Sequence, residues 1–262
     1  MIVEATSVQT SALRTLAEAL KGILIELSLV FDVHGIHMTT MDTSQVVLAQ
    51  MSLRAENFEK YVYNNPSSPK LVIGLNTEHF CRLIKTAGND DTLTLYIDEE
   101  DPNVLGIRME DAKKKQITRY KMNLLDRDES SVEIPANAFA QHITMPSADF
   151  QKICRDMTQL GAKTTEIQKL GASLTFSCKG QFASRITTLG DIDTIYGVPG
   201  GGPKKDVDIV SGKFSLLHLS LFTKCTPLCN NLEIYLKNGY FMMIKYGIAN
   251  LGEIKLCLTP TP

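Results

Sequence analysis

The sequence predicts an α+β protein in which antiparallel sheets carry a few helices on one face. Short runs of alternating or β-branched apolar residues fill most of the chain and indicate strands. Only four segments have the apolar spacing that is typical of a helix. A faint internal repeat relates the two halves of the 262 residues, which predicts two helices among the strands of each half.

The repeat consists of patterns that recur at nearly the same separation along the chain. Phe80–Tyr96 and Leu219–Tyr235 both pass from a helix-like stretch through a polar turn to an alternating strand. Two apolar triplets of equal spacing recur at almost that separation: Leu13, Leu16 and Leu20, and Phe150, Ile153 and Met157. Two matches in the same order favour a duplication.

Apolar residues at helical spacing predict helices over Ser11–Lys21, Glu78–Thr86, Phe150–Leu160 and Phe214–Lys224. Asn76 or Thr77 is expected to cap the second helix, and Ser147 the third. The fourth helix is expected to end before Pro227, because proline lacks the N–H of a helical hydrogen bond.

Strands are predicted over Val46–Leu53, Leu93–Ile97, Val104–Met109, Leu232–Leu236 and Phe241–Tyr246. Asn238-Gly239 separates the last two runs and is a strong signal for a two-residue hairpin. The expected domains are residues 1–123 and 137–262, joined by a connector over residues 124–136. The connector is acidic and polar, as exposed linkers are, yet its apolar Val132 and Ile134 need a surface to pack on.

Composition excludes several classes of protein. The net charge is −2, so any contact with nucleic acid must come from cations gathered on one surface. No run of 18 apolar residues occurs, so we expect no membrane span, and the N-terminus does not have the pattern of a secretory signal. Six scattered cysteines, most inside apolar patterns, are typical of a reduced intracellular protein.

No set of catalytic residues can be assembled from the sequence. The glycine-rich run Gly197–Lys205 is not a phosphate loop, because proline rather than lysine follows its last glycine. Cys225, Cys229 and Cys257 are loosely spaced and have no evident fourth ligand for zinc. We therefore expect no enzymatic activity, no metal and no cofactor.

Cations recur on the predicted helices, mostly on faces opposite the apolar stripes: Arg14, Lys21, Arg82, Lys85, Lys152, Arg155 and Lys224. Taken singly, each fits the ordinary solvated face of an amphipathic helix. If all four helices line one surface, the same residues form a phosphate-binding face that does not read base sequence. Glu18, near Arg14 on the first helix, weakens this pattern.

Four separate motifs occur in the order found in a known family: Met41–Val46, Phe150–Asp156, Leu221–Leu228 and Lys245–Gly252. They resemble proliferating cell nuclear antigen, the sliding clamp of eukaryotes, and the resemblance covers nearly the whole chain. It implies two similar clamp domains per subunit and a head-to-tail homotrimeric ring. Antiparallel sheets would form the outside of the ring, and helices would line a central channel.

The resemblance also assigns roles to residues. The seven helix cations match the basic positions of the channel, whereas Thr15, Gln159 and Leu217 replace residues that are usually basic or histidine. The subunit contact would pair an edge strand around Lys115–Asn123 with one around Gln181–Thr188 of the next subunit, which protects both edges from aggregation.

A partner pocket follows from the same resemblance. Its positions match Met41, Val46, Leu48, Leu125, Val132, Ile134, Pro135, Tyr246 and Pro260. This pocket receives a short peptide with a glutamine anchor and a hydrophobic-aromatic plug, carried by polymerases, ligases and nucleases. Phe241, Cys257 and Gln45 depart from the residues usual there.

The implied function is that of a processivity factor in DNA replication and repair. A clamp loader would place the ring on duplex DNA, and the ring would tether a DNA polymerase. The expected location is the nucleus, or the site of viral replication if the protein is viral. Two alternatives remain: a subunit of a heterotrimeric checkpoint ring, and a clamp fold that serves as a transcription or scaffold factor.

Overall fold

The predicted repeat is present element by element in the structure. The computed structural model describes residues 1–126, 139, 142–171, 173–190 and 209–261. The first half has helices α1 (Thr10–Ile23) and α2 (Thr77–Ile84). Its strands β1 to β9 cover Val3–Ser7, Glu26–Asp32, Gly35–Met41, Val47–Arg54, Lys60–Tyr63, Lys70–Asn76, Thr92–Ile97, Val104–Asp111 and Gln116–Asn123.

The second half repeats this order of elements. Its helices are α3 (Ser147–Gln159) and α4 (Leu216–Phe222), and a 3-10 segment, Thr223–Leu228, continues α4. The described strands β10 to β17 cover His142–Pro146, Thr164–Leu170, Ser173–Lys179, Ser184–Leu189, Ile209–Ser215, Asn231–Tyr235, Met242–Ile248 and Gly252–Leu258. Each of these helices and strands follows a counterpart in the first half at nearly the same separation along the chain. The duplication inferred from two short patterns therefore extends through every described helix and strand of the second half, and of the first-half strands β5 alone has no described counterpart.

The described strands form three antiparallel sheets. One has the order β5-β1-β7-β8-β9, and another has the order β13-β12-β11-β14. The third, with the order β10-β15-β16-β17-β4-β3-β2-β6, takes four strands from each half. It is continuous because β17 pairs with β4 over Gly252–Leu258 and Val47–Leu53. Main-chain hydrogen bonds thus join the two halves.

The four helices form one layer. α1 contacts α2 on one side and α4 with its 3-10 segment on the other, and α3 contacts α4 and that same segment. The layer packs on the eight-stranded sheet, since α2 contacts β6, α3 contacts β10, and both α1 and the 3-10 segment contact β16. This arrangement confirms the predicted class, an α+β fold with two similar halves.

Two apolar clusters lie on opposite faces of the eight-stranded sheet. The main core includes the buried stripes of all four helices and inward residues of the sheets, such as Ile244 and Tyr246. Met243 points the other way, because successive side chains of a strand alternate between faces. It packs with Leu48 and Cys257 in a smaller cluster, bordered by Phe139, Tyr235 and Phe241.

Two predictions at helix ends had different outcomes. The Asn76 side chain accepts a hydrogen bond from the backbone N–H of His79 at 3.1 Å, which confirms it as the N-cap of α2. The prediction for Ser147 was wrong, because Pro146 holds the N-cap position and Ser147 is already helical. The buried Ser147 hydroxyl instead lies 3.8 Å from the Cys229 sulfur.

The predictions for the end of α4 and for the turn after β15 had different outcomes. α4 ends at Phe222, before Pro227 as predicted, and a 3-10 segment that contains Pro227 follows it. Asn238-Gly239 does not form a two-residue hairpin. The Asn238 amide accepts from the Ser211 N–H and donates to the Ile209 carbonyl, both at 2.8 Å, which ties this longer turn to β14.

All six cysteines are free thiols. Cys225 lies in the main core and Cys257 in the smaller cluster, so the sheet separates two of the thiols considered for zinc. Within the described ranges, no group of three or more His, Cys, Asp and Glu residues is arranged to hold a metal ion. No helix of those ranges is long and apolar enough to cross a membrane.

Replacing Tyr246 with phenylalanine is expected to stabilise the fold. Tyr246 is fully buried, and its hydroxyl has no hydrogen-bond partner in the described part of the chain. A buried unsatisfied hydroxyl costs about 1–3 kcal/mol, so Tyr246→Phe should raise the free energy of unfolding by about 1 kcal/mol. Urea denaturation at a fixed protein concentration measures this change.

The matched control is Tyr61→Phe. The Tyr61 hydroxyl lies 2.7 Å from the carbonyl oxygens of both Asp32 and Gly35, so its removal should lower stability. A loss of stability in Tyr246→Phe as large as that in the control would contradict the assignment of an unsatisfied hydroxyl.

Candidate DNA-facing surface and partner groove

All seven predicted cations lie on the helix layer. α1 carries Arg14 and Lys21, α3 carries Lys152 and Arg155, and the others are Arg82 on α2, Lys85 directly after it and Lys224 in the 3-10 segment. Arg14 is half-buried, whereas the other six are exposed. The amphipathic pattern produces this placement, since the apolar stripe of each helix faces the sheets.

Lys224 reaches from the second half onto α1 of the first. A Cβ atom added to Gly22 would lie 2.5 Å from Lys224 Nζ, so the lysine head occupies space that only glycine leaves open. Gly22 is in the last turn of α1, and the carboxyl end of a helix attracts cations. The sequence does not reveal this contact, because it depends on how the two halves pack.

Carboxylates on the same layer bind several of these cations. Lys85 Nζ lies 2.8 Å from Glu18, while Arg82 and Lys21 lie 2.8 Å and 3.6 Å from Glu78. The hydrogen bond from Lys85 lowers the pKa of Glu18, and the charges of Arg82 and Lys21 lower the pKa of Glu78. Both carboxylates are therefore ionised at neutral pH, and the ion pairs link α1 to α2.

The second half has a different arrangement. Asp156 on α3 accepts from Arg185 of β13 at 2.8 Å, and this hydrogen bond is the main reason that its pKa is lowered. Arg155 lies farther from Asp156, at 3.8 Å. Lys152 and Lys224 make no ion pair with any residue that the structure describes.

The helix layer is positive although the chain is negative. Its seven cations face four carboxylates, Glu18, Glu78, Asp149 and Asp156, which leaves a net charge of +3 against −2 for the whole chain. The segregation required for contact with nucleic acid is thus present. Leu217 is 68% exposed on the same layer, so part of this surface is apolar.

Met41, Val46 and Leu48 lie where β3 turns into β4, although the side chain of Val46 packs against the main core. Met41 and Leu48 are paired across the two strands, and Met41 is 38% exposed. The Asp42 carboxylate shapes the turn by accepting from the backbone N–H groups of Val46 and Val47, both at 2.8 Å. Burial opposes the ionisation of Asp42, but hydrogen bonds from Ser44 and these N–H groups outweigh it and lower its pKa.

The C-terminal segment lies beside this turn. The Thr259 N–H donates to the Val46 carbonyl at 3.1 Å, which brings the exposed Pro260 next to it. Leu48 also pairs with Cys257 across β4 and β17 and belongs to the smaller apolar cluster, where Phe241 packs on Phe139 with ring centroids 5.4 Å apart. We call the surface formed by Met41, Leu48, Phe241, Cys257 and Pro260 the outer groove.

Not every predicted pocket residue reaches the outer groove. Leu125 is bound by its N–H to the Gly74 carbonyl at 2.8 Å, beside β6, three strands away from β4. Tyr246 lies in the main core on the opposite face of the sheet, so its assignment to the pocket needs correction. The reason is strand alternation, because an outward Met243 places Tyr246 inward. Val132, Ile134 and Pro135 lie outside the described residues.

The two predicted subunit-contact strands are both sheet edges. β9 ends the five-stranded sheet and β13 ends the four-stranded sheet. Ile117 on β9 is 50% exposed and Ile186 on β13 is 74% exposed, and Phe182 just before β13 is 77% exposed. Edge strands with unpaired main-chain groups and exposed apolar side chains invite pairing with another chain.

Comparison with known families agrees with this architecture. The family model for the N-terminal domain of proliferating cell nuclear antigen matches residues 2–131, and the model for its C-terminal domain matches residues 133–261. The chain belongs to the proliferating cell nuclear antigen family. A viral protein similar to this chain is the "probable DNA polymerase sliding clamp 1" of Paramecium bursaria Chlorella virus 1. It is 28% identical over 257 residues, which cover 97% of this chain and 95% of the viral protein.

Proposed function

We propose that the protein is a DNA sliding clamp. Three copies form a ring around duplex DNA, hold it without reading its sequence, and tether a DNA polymerase and other replication and repair enzymes. The observation that carries this proposal is the pairing of β17 with β4 inside one chain. The positive helix layer and the outer groove, on opposite faces of one sheet, support the contacts with DNA and with partners.

The pairing of β17 with β4, which we call the internal junction, indicates how two copies of the chain would contact each other. By the repeat, β17 is the counterpart of β9, and β4 is the counterpart of β13. β17 and β4 pair within the chain, whereas β9 and β13 are left as edges. Pairing β9 of one copy with β13 of the next therefore repeats a contact that the fold already makes. Such a head-to-tail contact forms a closed ring when the rotation from one copy to the next divides a full turn evenly.

The repeat also specifies the register on β9. Lys121 of β9 pairs with Gly106 of β8, and Lys255 of β17 pairs with Lys245 of β16. Gly106 and Lys245 are equivalent in the repeat for two reasons. Each lies between two residues of the main core. Gly106 and Lys245 are also as far apart along the chain as the first residues of α2 and α4. Lys121 is therefore the counterpart of Lys255, which faces Gln50 across the internal junction.

The register on β13 follows in the same way. Gln50 of β4 pairs with Thr39 of β3, and Ile186 of β13 pairs with Ser177 of β12. Thr39 and Ser177 are each the fifth residue of their strand, so Ile186 is the counterpart of Gln50. Lys121 of one copy should then face Ile186 of its neighbour. The lysine stem would cover part of the isoleucine that is exposed in the single chain.

A closed ring explains how the modest positive charge of the helix layer is enough to keep the protein on DNA. A ring holds DNA by encirclement, so its phosphate contacts need to be only strong enough to centre the duplex and weak enough to permit sliding. Tethering a polymerase to the ring raises the effective concentration of the enzyme at the primer end. We infer that the outer groove receives the peptides of these enzymes and that a clamp loader opens the ring.

A cysteine pair tests the subunit contact. Lys121→Cys with Ile186→Cys should form disulfides between copies, because directly opposed strand residues have the Cβ separation that a disulfide requires. Mild oxidation followed by non-reducing electrophoresis should give covalent trimers. The control is Lys121→Cys with Thr187→Cys, because Thr187 points to the other face of β13. Equal cross-linking in both variants, or only monomers in the first, would contradict the proposed register.

A substitution at Met41 tests the outer groove. Met41→Ala should weaken binding of a fluorescent polymerase peptide with a glutamine anchor and an aromatic plug, by about fivefold to tenfold, or about 1 kcal/mol. Fluorescence polarisation measures this affinity. The matched control is Val33→Ala, another exposed apolar residue, located in the turn between β2 and β3. Unchanged affinity in Met41→Ala, with the trimer intact, would remove the groove from the proposal.

A further inference from the structure

Glu18 lies among three cations that come from different parts of the chain. Lys85, just after α2, donates to the Glu18 carboxylate at 2.8 Å. Arg14, one turn earlier on α1, and Lys224, from the 3-10 segment of the second half, act on the same carboxylate through their charges and lower its pKa together with Lys85. A carboxylate is thus held where three positive side chains converge.

The place is open to solvent and large enough for a ligand. Glu18 is 58% exposed and Lys85 is 48% exposed. Both line a surface depression of about 320 Å³ together with Ser11, Arg14 and Thr15. Glu18 accepts a charge-assisted hydrogen bond from Lys85 and lies in the field of Arg14 and Lys224, as a DNA phosphate at this position would. The carboxylate therefore has the charge, the exposure and the partners of a bound phosphate.

The surrounding contacts hold this cluster in place. Arg14 donates to the Ala87 carbonyl at 3.1 Å and to the Asn89 side chain at 2.8 Å, so its guanidinium is fixed near the end of α2. Lys224 lies against Gly22, one turn after Glu18. Arg14 and Lys224 therefore keep their positions whether or not Glu18 is charged, whereas the side chain of Lys85 is held by Glu18 itself.

We propose that Glu18 is a built-in counter-ion that competes with DNA phosphates for Arg14, Lys85 and Lys224. This inference rests on the proposed encirclement of DNA and specifies how tightly the ring holds the duplex. Each carboxylate neutralises cations that would otherwise bind phosphate and release counterions, so it weakens the contact and reduces its salt dependence. Glu18 would thus help the ring to slide along the duplex instead of binding tightly at one position.

The test compares charge-matched variants of the full chain for binding to a short labelled duplex by fluorescence anisotropy, from about 50 to 200 mM salt. Glu18→Gln should bind at least about threefold more tightly at the low-salt end. Its plot of log affinity against log salt should steepen by about 1 for each additional phosphate that the protein binds. Glu56→Gln removes the same charge from an exposed site outside the helix layer and should bind like the unmodified protein.

The Glu56→Gln control separates a local effect from general charge, and a second substitution tests whether Lys85 is one of the cations that Glu18 occupies. In Glu18→Gln with Lys85→Gln, the cation released by the first change is gone, so the affinity should return close to that of the unmodified protein. Light scattering and thermal unfolding check that each variant remains a folded oligomer. Glu18→Gln binding no tighter than Glu56→Gln would overturn the inference. So would a double variant that keeps the full increase in affinity.

The same binding measurement distinguishes failure of the proposed DNA contact from failure of the counter-ion role alone. If the unmodified protein shows no salt-dependent affinity for duplex DNA, the proposed phosphate contact of the helix layer fails and the counter-ion role fails with it. If the unmodified protein binds duplex DNA and Glu18→Gln binds equally well, only the counter-ion role is lost.

Discussion

The antiparallel pairing of β17 with β4 is the contact on which the rest of the structure depends. It runs over seven residues of each strand and merges the two halves into one eight-stranded sheet. With that sheet continuous, α1 of the first half packs beside α4 and the 3-10 segment of the second, and four short helices become one layer. Among the described strands, β9 and β13, the counterparts of the joined strands, each lie at the edge of a sheet, where we propose that a neighbouring copy pairs.

The continuous sheet also separates two kinds of contact. The helix layer gathers seven cations on one face, although the chain as a whole is negative. The smaller apolar cluster around Leu48, Met243 and Cys257 is on the other face. Strand alternation alone decides which residues serve which face, because neighbours on a strand point in opposite directions. In the ring that we propose, DNA would contact one face of the sheet and partner peptides the other, so the two would not compete.

Much of the fold could be predicted from the sequence, because its signals are local. The apolar spacing of Leu13, Leu16 and Leu20 predicts α1, alternation predicts β7 and β15, and the Asn76 cap lies next to the helix that it begins. The contacts that depend on packing between distant segments could not be predicted. They include the pairing of Glu78 with Lys21, the attachment of Asn238 to β14 and the position of Lys224 against Gly22. The assignment of Tyr246 to the pocket failed because resemblance does not show which face of β16 it occupies.

Mass in solution tests most directly whether the edges left by the repeat close a ring. The measurement is light scattering on a size-exclusion column over a dilution series, with the unmodified chain alone. Head-to-tail pairing of β9 with β13 predicts a mass three times 29.0 kDa that persists on dilution. A mass of 29.0 kDa at every concentration would contradict a self-assembled ring and would favour a subunit that requires different partner chains.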